Sequence, residues 1–86
     1  MDASRREQVR MLMRLLDSFA EEVRRVTLQE EDNFSNRPES FKETEAAQIS
    51  EAAVKSLIDA ISAIEHAIAL MQLAIGDEDI ADAGAP

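Results

Sequence analysis

The chain has 86 residues and a net charge of −9, which limits it to one small domain with a small core. Apolar residues make up 45% of it, yet three Phe with no Trp and no Tyr favour Ala-, Leu- and Ile-rich helices over sheets, so we predict an all-α fold. The lack of cysteine excludes disulfides, thiolate metal sites and cysteine nucleophiles.

The charge is distributed unevenly. Residues 1–14 carry four arginines against two acids, whereas the rest of the chain carries five basic and sixteen acidic groups. An acidic body argues against nucleic acid as a partner, because non-specific DNA binding relies on Lys and Arg that displace counterions from phosphates. It suits a partner protein with a basic surface.

The first helix is predicted from about residue 4 to residue 32. Its apolar residues recur at heptad spacing, with one set at position a and a second set at position d. The a set is Val9, Leu16 and Val23, and the d set is Leu12, Phe19 and Val26. Met13 and Ala20 widen this stripe, and the opposite face is charged, as expected for a helix with one face in solvent.

A turn is predicted over residues 33–43, because Pro38 disfavours helical geometry at the residue before it and polar turn formers surround it. The next helix has two candidate starts. Ser40 with Glu43 matches a capping box, and Thr44 can cap a helix that begins one residue later.

The second helix, predicted from about 44 to 75, has the clearest pattern in the chain. Seven-residue units place aliphatic residues at a and d and alanine at g. The a residues are Val54, Ile61, Ile68 and Ile75, the d residues are Leu57, Ile64 and Met71, and the g residues are Ala53, Ala60, Ala67 and Ala74. Small g residues let a neighbouring helix approach closely. Gly76 supplies a stop, and residues 77–86 are predicted to form a disordered acidic tail.

The short connection predicts an antiparallel two-helix hairpin that resembles a coiled coil. The expected neighbours are Phe19 with Leu57, Leu16 with Ala60, and Leu12 with Ile64. This pairing leaves residues 67–75, which are apolar on almost every side, beside the mostly polar residues 1–9. A helix that is apolar all round is normally buried, so something else should cover this end.

We therefore expect the hairpin to form an antiparallel homodimer, a four-helix bundle in which residues 67–75 reach residues 11–16 of the other chain. The predicted self-association interface comprises Leu12, Leu16, Phe19, Val23, Leu57, Ile61, Ile64, Ile68, Leu70, Met71, Leu73 and Ile75.

No targeting or membrane segment is expected. The first residues lack the apolar core of a secretory signal. The longest apolar run, residues 67–75, is far shorter than the ~20 residues that cross a bilayer. We expect a cytoplasmic protein.

Two exposed groups of residues are candidate contact sites. The basic end consists of Arg5, Arg6, Arg10 and Arg14, and it either contacts a partner or is neutralised by the nearby acids Asp77, Glu78, Asp79 and Asp82. The turn between the helices offers a candidate partner contact made by Asn33, Phe34, Asn36, Arg37 and Glu39. The alternative role of these turn residues is helix capping.

Catalysis and metal binding are not expected, and neither is a cofactor. The single histidine, His66, falls at heptad position f and points outward, and di-iron bundles require several inward carboxylates with Glu and His three residues apart. The sequence also lacks a Gly-rich phosphate loop and a plausible pair of nucleophile and base.

The run from Glu30 to Phe41, followed by Thr44-Glu45 and the Ala-Ile heptads, resembles short acidic helical-hairpin proteins of bacteriophages and prophages. The distinctive residues are Asn36, Pro38, Glu39 and Ser40, within a resemblance that covers roughly residues 28–75. The basic start of the first helix is not part of that pattern. The resemblance implies a mobile-element origin, a bacterial host cell and a non-enzymatic role.

These features predict a protein–protein interaction module. Its expected action is to occlude a surface of a host protein, for example a defence or nucleic-acid-processing protein. Two alternatives remain open: a DNA-associated regulator that uses the basic end of a dimer, and a purely structural homo-oligomer.

Overall fold

A computed structural model describes residues 1–76 of the chain. It contains three helices: α1 spans Ala3–Ser35, α2 spans Glu39–Lys42 and α3 spans Glu45–Ile75. Residues 1–76 contain no strand, so the predicted all-α class is confirmed. The predicted acidic tail, residues 77–86, lies outside the described residues.

The ends of α1 lie beyond the predicted ones. Asp2 caps its start, where the carboxylate accepts a hydrogen bond of 2.8 Å from the backbone N–H of Arg5. The helix continues to Ser35, and the backbone N–H of Asn36 donates to the carbonyl of Asp32 over 3.0 Å. The helix can run three residues past its predicted end because the restriction imposed by proline falls only on the residue directly before Pro38.

The predicted turn contains a single helical turn, α2, which sequence reasoning did not identify. Pro38 precedes it without a side-chain cap. Of the two candidate starts for the long second helix, the structure uses Thr44, whose hydroxyl oxygen accepts from the N–H of Ala47 over 3.2 Å. The same hydroxyl donates to the carbonyl of Phe41 over 2.6 Å. Thr44 therefore joins α2 to the start of α3.

Replacing Thr44 by alanine should lower the free energy of unfolding by about 1 kcal/mol, since it removes both hydrogen bonds at the start of α3. Urea denaturation followed by circular dichroism measures this. Thr44→Ser retains the hydroxyl and should stay close to the wild-type stability. Equal losses in the two variants would contradict the capping role.

Within residues 1–76, a hydrogen bond and an ion pair between side chains join α1 to α3. Ser50 donates a hydrogen bond of 2.6 Å to Glu30, and Arg24 forms an ion pair of 2.7 Å with Glu65. From the first contact to the second, the residue number decreases in α1, from Glu30 to Arg24, and increases in α3, from Ser50 to Glu65. The predicted neighbours would place Glu30 beside Ala46 and Arg24 beside Ala52, so the observed partners lie four and thirteen residues farther along α3, a shift of between one and more than three helical turns.

The residues of α3 that contact α1 follow the heptad pattern. All seven residues assigned to a and d are half-buried or buried, as are Ala47 and Ser50, which continue the pattern toward α2. Ile75, which ends the series, is buried and only 4% exposed. One face of α3 therefore lies against α1 along the whole helix.

The prediction for α1 was wrong for one of its two sets. Val9, Leu16 and Val23 are half-buried as expected, but the second set, Leu12, Phe19 and Val26, is exposed. The residues one position later are the ones that are turned toward α3: Met13, Ala20, Thr27 and Phe34. Ala20 and Thr27 are short, which allows close packing, and the Thr27 hydroxyl donates to the carbonyl of Val23 over 2.7 Å.

Among residues 1–76 no large side chain is fully buried. The buried residues are Ala20, Thr27, Ala47 and Ile75, and the remaining contact residues are only half-buried. Two helices in contact along a single stripe can shield these residues on one side only. The pair leaves much of its apolar surface in contact with solvent.

By length and composition α3 is apolar enough to cross a membrane, and it is the one such helix in the described part. An 18-residue stretch of it has a mean hydropathy of 1.5, and 11% of that stretch is buried. The prediction of no membrane span was based on the length of the longest uninterrupted apolar run. Mean hydropathy can also be high in a stretch where polar residues interrupt the apolar ones. The a and d residues of α3 nevertheless contact α1.

Candidate protein-interaction site

The two long helices together present two opposite sides. On the first, which we call the charged side, Arg24 of α1 pairs with Glu65 of α3. A cleft farther along this side is lined by Glu31 and Glu51. Arg24 and Glu31 lie seven residues apart beside the contact stripe of α1, and Glu51 and Glu65 lie fourteen residues apart beside the contact stripe of α3. The positions that flank the two stripes meet on this side of the molecule.

The second side, which we call the apolar face, carries the other flanking positions. A cleft of about 380 Å³ at one end of this side is lined by Asn33 of α1 and by Ala46, Ile49 and Ala53 of α3, with the charged side chains of Glu30 and Arg37 at its edge toward the connection between the helices. Since side chains recur every seven residues on a helix face, the stripes that pass through these residues continue along the same side. The α1 stripe contains Leu12, Leu15, Phe19 and Val26. The α3 stripe has nine positions, which are Ala46, Ile49, Ala53, Ser56, Ala60, Ala63, Ala67, Leu70 and Ala74.

The apolar face is exposed and nearly free of charge. Its six large side chains are between 46% and 64% exposed. The α3 stripe contains no charged residue, and the α1 stripe contains Arg5 and Glu22, of which Glu22 forms an ion pair of 2.5 Å with Arg25. Covering six half-exposed large side chains would contribute roughly 5 to 9 kcal/mol, at ~1.5–3 kcal/mol for each complete burial.

The structure divides the predicted self-association residues into two groups. Eight of them lie in the contact between α1 and α3 within one chain: Leu16, Val23, Leu57, Ile61, Ile64, Ile68, Met71 and Ile75. The exposed members are Leu12, Phe19, Leu70 and Leu73, and the first three belong to the apolar face. Sequence reasoning did not assign Val26 and Ile49 to this surface, although the seven-residue spacing of Val26 from Phe19 was a usable signal.

The connection between α1 and α3, which we call the tip, is built around two aromatic rings. Phe34 and Phe41 meet edge to face with ring centroids 6.3 Å apart. The Arg37 guanidinium lies 5.1 Å from the centre of the Phe41 ring. Of the predicted partner contacts, Phe34 and Arg37 thus serve this cluster, Asn36 caps α1, and Glu39 pairs with Lys42 over 3.3 Å. Asn33 lies in the cleft of the apolar face.

The basic end contains its own acid. Arg10 hydrogen-bonds to Glu7, and Arg14 lies 3.5 Å from the same carboxylate. The hydrogen bond from Arg10, followed by the charges of both arginines, holds the pKa of Glu7 below its usual value. The predicted neutralisation of this end by residues 77–82 falls outside the described residues. Arg6 donates to the carbonyl of Met1 over 2.7 Å.

Arg10→Gln should raise the pKa of Glu7 toward its ordinary value, because the strongest donor to its carboxylate loses its charge. A lowered pKa in the folded state stabilises the fold above the unfolded pKa, and this contribution is lost as pH falls through the folded value. Side-chain NMR titration of Glu7 measures the shift. Arg25→Gln, distant in sequence, serves as the control and should leave the Glu7 titration unchanged.

Residues 1–76 contain no group of three or more His, Cys, Asp or Glu side chains placed to hold a metal ion. His66 is exposed on α3. The clefts of the helical pair are open grooves along its length rather than enclosed cavities. The dominant chemical feature is therefore a surface, the apolar face.

Comparison of the chain with protein-family models, with curated proteins and with solved structures finds no match.

Proposed function

We propose that this protein is a non-enzymatic protein–protein interaction module whose working form is a homodimer. In this proposal α1 and α3 act as an antiparallel helical hairpin, and two hairpins close into a four-helix bundle through their apolar faces. The single observation that carries the proposal is a nearly uncharged apolar face beside a charged side on the same chain. Large exposed apolar patches mark interaction sites in soluble proteins.

The size of the apolar face is adequate for a dimer. Its α3 stripe runs from Ala46 to Ala74, about 42 Å at 1.5 Å per residue. The pair of helices is about 15 Å wide. The projected area is thus roughly 600 Å², comparable with the ~800 Å² that each partner contributes to a standard protein interface.

The outward surface of such a dimer would be acidic, which is the basis for proposing a target. The chain carries a net charge of −9, so a dimer would carry twice that charge in a compact rod. Complementary charge speeds association with a basic surface and selects against acidic ones. We propose that the dimer occludes a basic surface on a host protein, as a phage-encoded inhibitor of a defence or nucleic-acid-processing protein would.

Affinity capture from a bacterial lysate at low salt tests this target. The wild type should retain a protein that a Glu51→Lys, Asp59→Lys variant releases, because both substituted residues are exposed on α3 away from the apolar face. Circular dichroism of the variant checks its helix content. Recovery of nothing by the wild type, or equal recovery by both, would contradict a basic partner.

A DNA-associated regulator has less support. Its contacts would come from the basic end, where Arg10 and Arg14 already engage Glu7. A mobility shift of duplex DNA at low salt that disappears on Arg5→Ala, Arg14→Ala substitution would favour it. A structural homo-oligomer would instead show assemblies larger than a dimer.

A further inference from the structure

We infer that the two copies pair with their tips at the same end, so that the large side chains of α1 in one chain pack on the alanine stripe of α3 in the other. This inference rests on the proposed dimer and adds its geometry. It follows from the unequal character of the two halves of the apolar face. The α1 half carries Leu12, Leu15, Phe19 and Val26, whereas six of the nine α3 positions are alanines, five of them spaced seven residues apart.

Two faces pack well when large side chains of one meet small side chains of the other. Each copy has four of its six large residues on α1, and all the alanines of the face on α3. Complementarity therefore requires α1 to cross over to α3 of the partner copy. A two-fold axis parallel to the helices does this, and it places each helix antiparallel to both of its neighbours.

The register of this arrangement follows from contacts within one chain. Rotation about an axis parallel to the helices does not move any residue along that axis. Residues of α1 and α3 that lie side by side within one chain therefore also face each other across the dimer interface. Glu30 contacts Ser50 and Arg24 contacts Glu65, so the numbers of facing residues in α1 and α3 sum to between 80 and 89. Counting along both helices between these two contacts sets Phe19 against Ala63 and Ala67 of the second copy, and Leu12 against Leu70 and Ala74. Large residues thus meet alanines.

The opposite arrangement, with tips at opposite ends, matches the faces poorly. It would set α1 against α1 and α3 against α3. The apolar part of the α1 stripe ends at Val26, and polar Gln29 and Asn33 follow at the same spacing. With the two copies of α1 fully overlapping, Leu12 would face Val26 and Phe19 would face Phe19 of the second copy, so large side chains would meet large ones while alanines would face alanines.

Spin-label distances test the inference directly. The chain has no cysteine, so single-cysteine variants carry one label each. Ser35→Cys places a label at the tip and Ser62→Cys places one near the middle of α3, and both positions are exposed and lie off the apolar face. We expect double electron–electron resonance distances below about 35 Å at both positions, from helix spacings of 8–10 Å plus the label lengths.

The two labelled positions together distinguish a dimer with the opposite orientation from a protein that does not form a dimer. A short distance at Ser62 with a distance above about 45 Å at Ser35 would overturn the shared end, because labels at opposite ends would be a helix length apart. Absence of dipolar coupling at both positions would overturn the dimer itself, and with it the proposed function. Light scattering of each labelled variant confirms that its mass equals that of the wild type.

Discussion

Phe19→Glu should convert the dimer to a monomer at micromolar concentration. Phe19 is the most exposed large residue on the α1 half of the apolar face, at 62%. The substitution removes aromatic burial and places a carboxylate in an apolar contact, a combined cost of at least ~3 kcal/mol. That cost raises the dissociation constant by more than about a hundredfold. Sedimentation equilibrium measures the change.

Leu28→Glu is the matched control for Phe19→Glu. Leu28 is 60% exposed, lies on the same helix and follows the charged Arg24 by four residues, on the side away from the apolar face. The same charge introduced there should leave the mass at that of a dimer. If both variants dissociate, or neither does, the assignment of the interface to the apolar face is wrong.

Ala47→Leu should lower the free energy of unfolding by about 1–3 kcal/mol, because Ala47 is fully buried against the rest of the chain and a leucine there overpacks the contact. For a domain of this size each kilocalorie per mole lowers Tm by about 4–8 °C. Thermal denaturation at fixed protein concentration measures the difference. Ala52→Leu, on the exposed surface of the same helix, should change Tm little. Similar losses in both variants would contradict close packing at Ala47.

The contact stripe of α3 could be predicted from the sequence because its pattern allows one interpretation. Aliphatic residues occupy every a and d position, and alanines or polar residues occupy most others. Burying any other face would have left Ile61 or Ile64 exposed. The start at Thr44 and the stop at Gly76 were also readable, since both positions carry residues with strong capping preferences.

The stripe of α1 could not be predicted as well, because two adjacent stripes are both apolar. Hydrophobicity favours the set that contains Leu12 and Phe19, whereas the structure places the set with Ala20 and Thr27 against α3. Close approach of two helices favours short side chains, and hydrophobicity alone does not measure this. The choice between the stripes also decides which residues remain exposed, and so it determines the candidate site.

Long-range details could not be derived from local patterns. The ion pair between Arg24 and Glu65 depends on how far the two helices are shifted along each other, and the predicted pairing placed Arg24 thirteen residues away from Glu65, beside Ala52. The four-residue helix α2 is too short to produce a periodic signal. Its position follows from Pro38 and from the contact between the rings of Phe34 and Phe41.

The most direct test of the central claim, that the apolar face is covered by a second copy, is the solution mass of the wild type by light scattering across a micromolar concentration series. The chain has a mass of 9.5 kDa. We predict twice that mass throughout the series. A mass of one chain at every concentration would contradict the dimer and leave the apolar face to a different protein or to a lipid surface.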